Sequence, residues 1–138
     1  MVIKTILIFL IALLGYSEWL TGTSYLQRPI VLGPLVGLVM GDMVTGTIMG
    51  ATMELAMVGA ISVGAYNPPD TISGTILGVS LAMQAGADAS AALTLGIPIA
   101  TIVLALDTAL GQPVMLLLVH RIDKNVEDGD TKAITRNM

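Results

Sequence analysis

The sequence predicts an all-α integral membrane protein built from broken, re-entrant helical hairpins with at least one full transmembrane helix. Three observations carry that reading. Hydrophobic residues make up 54% of the 138 residues and charged residues only 12%, against about 25% charged in ordinary globular chains. The apolar runs are unequal in length. Polar, proline-containing breaks at Arg28-Pro29 and at Asn67-Pro68-Pro69-Asp70 separate short runs from longer neighbours.

The mean hydropathy is +0.85. Glycine, at 15 residues, suits close helix packing in lipid. The formal net charge is −4, and it sits mainly in the body of the chain. Before His120 the cations are Lys4 and Arg28, against Glu18, Asp42, Glu54, Asp70, Asp88 and Asp107. No basic patch exists to bind nucleic acid. With no cysteine, disulfides and thiolate metal sites are excluded.

Val2 to Leu20 reads as a helix ending at Glu18-Trp19, tryptophan being favoured at a membrane interface. One lysine before an apolar run is also the pattern of a signal peptide. With Glu18, Trp19 and Tyr25 following, a retained membrane helix is expected instead. Thr21 to Pro29 is turn-like.

Ile30 to Met40 is apolar but covers only about half a span, since about 20 residues are needed to cross. Gly33, Gly37 and Gly41 recur at intervals of four, and Gly46 and Gly50 repeat the interval. That spacing lines one helix face with hydrogen atoms and lets a second backbone approach.

Gly46 to Tyr66 is long enough to span, with Glu54 near its middle. Thr71 to Ala85 is short again. Gly86-Ala87-Asp88 is a turn, and Ala89 to Val119 is the longest apolar run. Pro98, Asp107 and Gln112-Pro113 within it predict kinks or a second break. The expected division is a membrane domain over 1–119, with broken hairpins at about 2–44 and 46–86 and a transmembrane region at 89–119. Residues 120–138 are expected to form a polar loop or tail, cytoplasmic by the positive-inside tendency.

Glu54 is the first candidate for function. A charge at the centre of a membrane helix costs roughly 2.5–3.5 kcal/mol. Such a group faces a protein interior or a cavity, as an acceptor for a polar solute or as a proton site. Asn67 and Asp70 flank two prolines in a stiff turn. Asparagine offers donors and acceptors and aspartate accepts, the mixture that a sugar needs, and the turn is expected to form one polar pocket with Glu54. Asp42 is expected to cap a helix start, Asp88 to sit in a turn and Asp107 to pair with a partner helix. His120, at the junction with the tail, is expected to be interfacial. No P-loop, Ser/His/Asp set or Cys/His cluster is present, so no covalent chemistry and no cofactor are expected.

The run from Arg28 to Asp70 resembles the N-terminal part of the IIC subunit of mannose-family sugar phosphotransferase permeases. The matching motifs are Arg28-Pro29, the GDMVTG of Gly41 to Gly46, the GATMEL of Gly50 to Leu55, and Pro68-Pro69-Asp70. The tail HRIDKNVEDGDTKAI is similar to that family's central cytoplasmic loop. The resemblance implies a multi-pass subunit of the bacterial cytoplasmic membrane with no catalytic residues of its own. It implies a IID partner, a separate IIA/IIB phosphocarrier that phosphorylates the incoming sugar, higher oligomers of IIC/IID pairs, and elevator-like motion. It maps sugar contacts to Glu54, Asn67 and Asp70. A complete member is roughly twice as long, so the alternative expectation is a truncated, non-transporting subunit that acts only in assembly.

Overall fold

Gly41 ends one helix and Asp42 starts the next, and that turn sets the packing of the two. The computed structural model describes residues 2–17, 22, 24–64 and 66–127; among them every regular element is α-helical. The helices are α1 (Val2–Tyr16), α2 (Pro29–Met40), α3 (Met43–Met57), α4 (Thr71–Gln84) and α5 (Ala89–Glu127).

Pro29 opens α2 at its first turn, where no backbone donor is missed. Gly41 closes it at φ 105°, a left-handed conformation open to glycine. Asp42 then caps α3, accepting from the Thr45 backbone N–H at 3.0 Å and from its hydroxyl at 2.5 Å. Asp88 does the same for α5, accepting from the Ser90 hydroxyl at 2.7 Å and the Ala91 N–H at 3.1 Å. The role of Asp42 matches the sequence expectation, whereas Asp88, expected only to sit in a turn, is also a helix cap. These bonds favour the charged form, so each carboxyl is held below its ordinary pKa: at Asp42 first by the Thr45 hydroxyl and then by the Thr45 N–H, at Asp88 first by the Ser90 hydroxyl and then by the Ala91 N–H.

The α2–α3 hairpin closes on glycine. A Cβ built on Gly33 would lie 2.5 Å from Gly50 Cα, and one on Gly46 would lie 2.5 Å from Gly37 Cα. Four of the five glycines of the ladder therefore form a backbone-to-backbone contact, while Gly41 is the turn. The same device joins α4 to α5, which the sequence reading did not single out. A Cβ on Gly78 would lie 2.8 Å from Gly96 Cα.

Around these contacts Leu32 and Val36 of α2, Met49 and Met53 of α3, Ile72, Ile76 and Val79 of α4 and Ala92 of α5 form the buried core. Lys4 of α1 donates to the Met40 carbonyl at 3.2 Å, placing a cation on the C-terminal end of α2. Hydroxyls within the apolar helices bond back to their own backbone, as Thr52 does to Ile48 O, Thr75 to Thr71 O and Thr101 to Ile97 O. The polar residues scattered through these runs are thereby largely satisfied within their helices.

The chain divides into two units, Met1–Leu104 and Ala105–Met138. All the packing above belongs to the first. In the second, the described residues continue α5, with Leu106, Leu110, Val114, Met115, Leu116 and Leu117 exposed.

Two expectations are corrected. The run Gly46 to Tyr66 is not one helix: α3 ends at Met57, and the described residues of 58–70 are non-helical. Apolar composition predicts partitioning into lipid, but Val58, Gly59, Ile61, Val63 and Gly64 are weak helix formers, and two prolines follow. Pro98 and Gln112-Pro113 produce no break, and α5 is helical throughout. A proline removes one hydrogen bond from a helix, and neighbouring groups can re-satisfy the freed carbonyl. Helix also continues through His120 as far as Glu127, so the polar segment begins as helix. The 35-residue stretch Ala89–Asp123 is long and apolar enough to cross a membrane, whereas α1, α2 and α4 are shorter apolar helices. Glu18, Trp19 and residues 128–138 lie outside the described residues.

Candidate functional site

Glu54 lies in the last turn of α3 and is half-buried. Its Oε1 accepts from Arg28 Nη1 at 2.5 Å, and its Oε2 accepts from the Ile30 N–H at the longer distance of 3.4 Å. Arg28 precedes α2, whose first-turn N–H groups have no partner within the helix. Pro29 has no N–H and the Val31 N–H bonds the Arg28 carbonyl at 2.9 Å, so an anion there meets one cation and the Ile30 N–H. The guanidinium of Arg28 also stands 5.9 Å from the centroid of the Tyr25 ring. Tyr25 itself has φ 55°, and its carbonyl accepts from the Arg28 N–H at 3.2 Å.

Asp70 caps α4, accepting from the Ile72 N–H at 3.2 Å. Its own N–H reaches across to the Ala100 carbonyl of α5 at 3.2 Å. Its Oδ2 accepts from the Tyr16 hydroxyl at the end of α1, and the Tyr16 oxygen lies 2.7 Å from Ser73 Oγ. Tyrosine has one hydroxyl proton. With that proton given to Asp70, the Ser73 hydroxyl is the donor to Tyr16.

The structure therefore resolves the sequence-read residues into two clusters, Glu54 with Arg28 and Tyr25, and Asp70 with Tyr16 and Ser73. Asn67 is exposed on the connection between α3 and α4. Sequence reading missed Tyr16, Ser73 and Tyr25, and took Arg28 as half of a helix break and part of a family motif without assigning it a partner. The one available signal was charge: Arg28 is the sole cation in the body of the chain besides Lys4. Among the described residues no group of His, Asp and Glu side chains is placed to hold a metal ion.

The family described as the sorbose-specific IIC component of the phosphotransferase system (PTS) matches residues 2–138. The chain belongs to this family. The resemblance carried by Arg28-Pro29, GDMVTG and GATMEL is thus borne out. The N-acetylgalactosamine permease IIC component 1 of Escherichia coli K12 is 32% identical over 134 residues, covering 92% of this chain and 47% of that one. The mannose-specific EIIC component of the same strain is 29% identical over 133 residues, covering 96% of this chain and 50% of that one. Among solved structures, the complex of the mannose transporter ManYZ with microcin E492 contains a chain that superposes with a TM-score of 0.76. It is 28% identical, and the match covers 99% of this chain and 55% of that one.

This IIC chain spans about half the length of these relatives. Family membership and the transporter-like architecture make it a helical membrane protein of the mannose-type PTS class, whose named relatives include permease IIC components.

Proposed function

We propose that the chain is the sugar-translocating IIC component, or its N-terminal part, of a phosphoenolpyruvate-dependent sugar phosphotransferase system. It binds a hexose or amino sugar and moves it inward for phosphorylation by a separate IIA/IIB component. It works with a IID subunit, in higher oligomers of IIC/IID pairs, as a multi-pass protein of the bacterial cytoplasmic membrane. The observation that carries this reading is the family match over residues 2–138. The domain division over 1–119 and 120–138 belongs to the same proposal.

Glu54, Asn67 and Asp70 are the proposed sugar contacts. The two carboxylates lie within an apolar chain, at the two ends of the non-helical connection from α3 to α4, and Asn67 stands exposed on it. Carboxylates accept from sugar hydroxyls, and the carboxamide both donates and accepts. The chain needs no catalytic group for this work, since the phosphoryl group comes from the soluble component.

The test is uptake of mannose, fructose, sorbose and N-acetylgalactosamine in a host lacking its own permease, with IID and IIA/IIB co-expressed. Accumulation of sugar phosphate that requires phosphoenolpyruvate is expected. Glu54→Ala or Asp70→Ala abolishes it while membrane insertion persists. Normal uptake by both variants would sink the site assignment, and uptake independent of phosphoenolpyruvate would sink the class.

A further inference from the structure

The proposed contact set is short of donors. A sugar hydroxyl donates one hydrogen bond and accepts others, yet Glu54 and Asp70 only accept, leaving Asn67 alone to donate. The structure places a large supply of donors beside Glu54. A guanidinium carries five N–H groups in a rigid fork. Arg28 spends Nη1 on Glu54 Oε1, and its remaining N–H groups make no hydrogen bond among the described residues. Its side chain is 41% exposed while that of Glu54 is 17% exposed, so the pair presents its donors outward from a sheltered acceptor.

Tyr25 is a second, independent observation. It is the only non-glycine among the described residues with positive φ, a strained conformation that clusters at functional sites. The turn from Tyr25 to Arg28 holds it there. The Arg28 guanidinium stands over the ring, 5.9 Å from its centroid, and the residue is 59% exposed. A clasp between α2 and α3 needs only the ion pair. It needs neither a strained aromatic nor an outward-facing guanidinium.

We propose that Arg28 and Tyr25 complete a sugar-recognition element with Glu54. Arg28 donates to adjacent hydroxyl oxygens of the sugar, and Glu54 accepts from one of those hydroxyls. The Tyr25 ring packs against the sugar's C–H face. This rests on the sugar-transport reading and names the donor half of its site.

The test measures uptake KM for the same four sugars in the full complex, together with membrane abundance and the midpoint of thermal unfolding in detergent. Arg28→Lys keeps the charge opposite Glu54 but loses the fork. It is expected to raise KM about tenfold, with abundance and unfolding midpoint unchanged. Tyr25→Leu leaves the ion pair and is expected to raise KM by about the same factor. Where Arg28→Lys fails to insert, Tyr25→Leu decides. Unchanged KM in an inserted Arg28→Lys and in Tyr25→Leu, with wild-type uptake intact, overturns this proposal alone. Wild-type complex that takes up none of the four sugars overturns the transport reading and this one together.

Discussion

Arg28 Nη1 meets Glu54 Oε1 at 2.5 Å, tying the residue that precedes α2 to the last turn of α3. The two helices are joined at one end by the Gly41-Asp42 turn and at the other by this ion pair. Between the two ends run the glycine contacts. An acid that looked isolated in an apolar run is the latch of a hairpin.

That latch makes a measurable prediction. The Arg28 side chain is more than a third exposed, so screening reduces the pair to about 0.5–1 kcal/mol of coupling. A double-mutant cycle of Arg28→Met and Glu54→Gln, read by thermal unfolding in detergent, should return a coupling of that size. Strictly additive effects would show that the pair contributes nothing to stability.

The glycine seam predicts a sharper effect. Gly33→Ala drives a methyl group into the Gly50 backbone, and overpacking of this kind costs about 1–3 kcal/mol. Gly59→Ala meets nothing within 4 Å and should change stability by less than about 0.5 kcal/mol. The comparison of the two unfolding midpoints checks the α2–α3 packing directly.

Tyr16→Phe removes the hydroxyl that links α1 to Asp70 and Ser73. Tyr16 is itself exposed, so the loss should be near the ordinary value for one hydrogen bond, about 1 kcal/mol. Asp70 keeps its bond from the Ile72 N–H in this variant, so sugar uptake should fall less than in Asp70→Ala. Equal loss of uptake in the two variants would show that the Tyr16 hydroxyl matters beyond holding Asp70.

The two capping carboxylates set a pH dependence. Asp42 and Asp88 both have pKa values lowered in the folded protein. Their contributions to stability are therefore complete above the unfolded-state value and are lost as pH falls through the lower folded-state value. Unfolding midpoints measured from about pH 6 down to about pH 3 should decline at the acid end. The decline should be shallower in Asp42→Asn and Asp88→Asn, and an identical acid limb in both variants would remove the caps as its cause.

Much of this was legible in the residues themselves. The excess of apolar residues placed the chain in a membrane, and the motifs from Arg28 to Asp70 placed it in its family. The four-residue glycine interval showed a helix face open to close backbone approach, and the structure pairs Gly33 and Gly37 with Gly46 and Gly50 there. Asp42 announced a cap because it follows the glycine ladder and stands four residues before Gly46, and a cap is a local event. Composition overreached at 46–66, where it registers affinity for lipid but not the helix end at Met57. It overreached again at Pro98 and Pro113, where a long helix outlasts two missing hydrogen bonds.

What only the tertiary structure decided is the company each carboxylate keeps. Glu54 bonds a residue 26 positions away and Asp70 a residue 54 positions away. Hydrophobicity, spacing and capping are properties of neighbours along the chain, and they determined the class, the cap at Asp42 and the glycine faces open to close packing. Which cation or hydroxyl reaches which acid depends on how the ends of α1, α2, α3 and α4 are brought together. That is set by core packing over separations at which no local pattern carries information, which is why Arg28 and Tyr16 emerged as partners only from the fold.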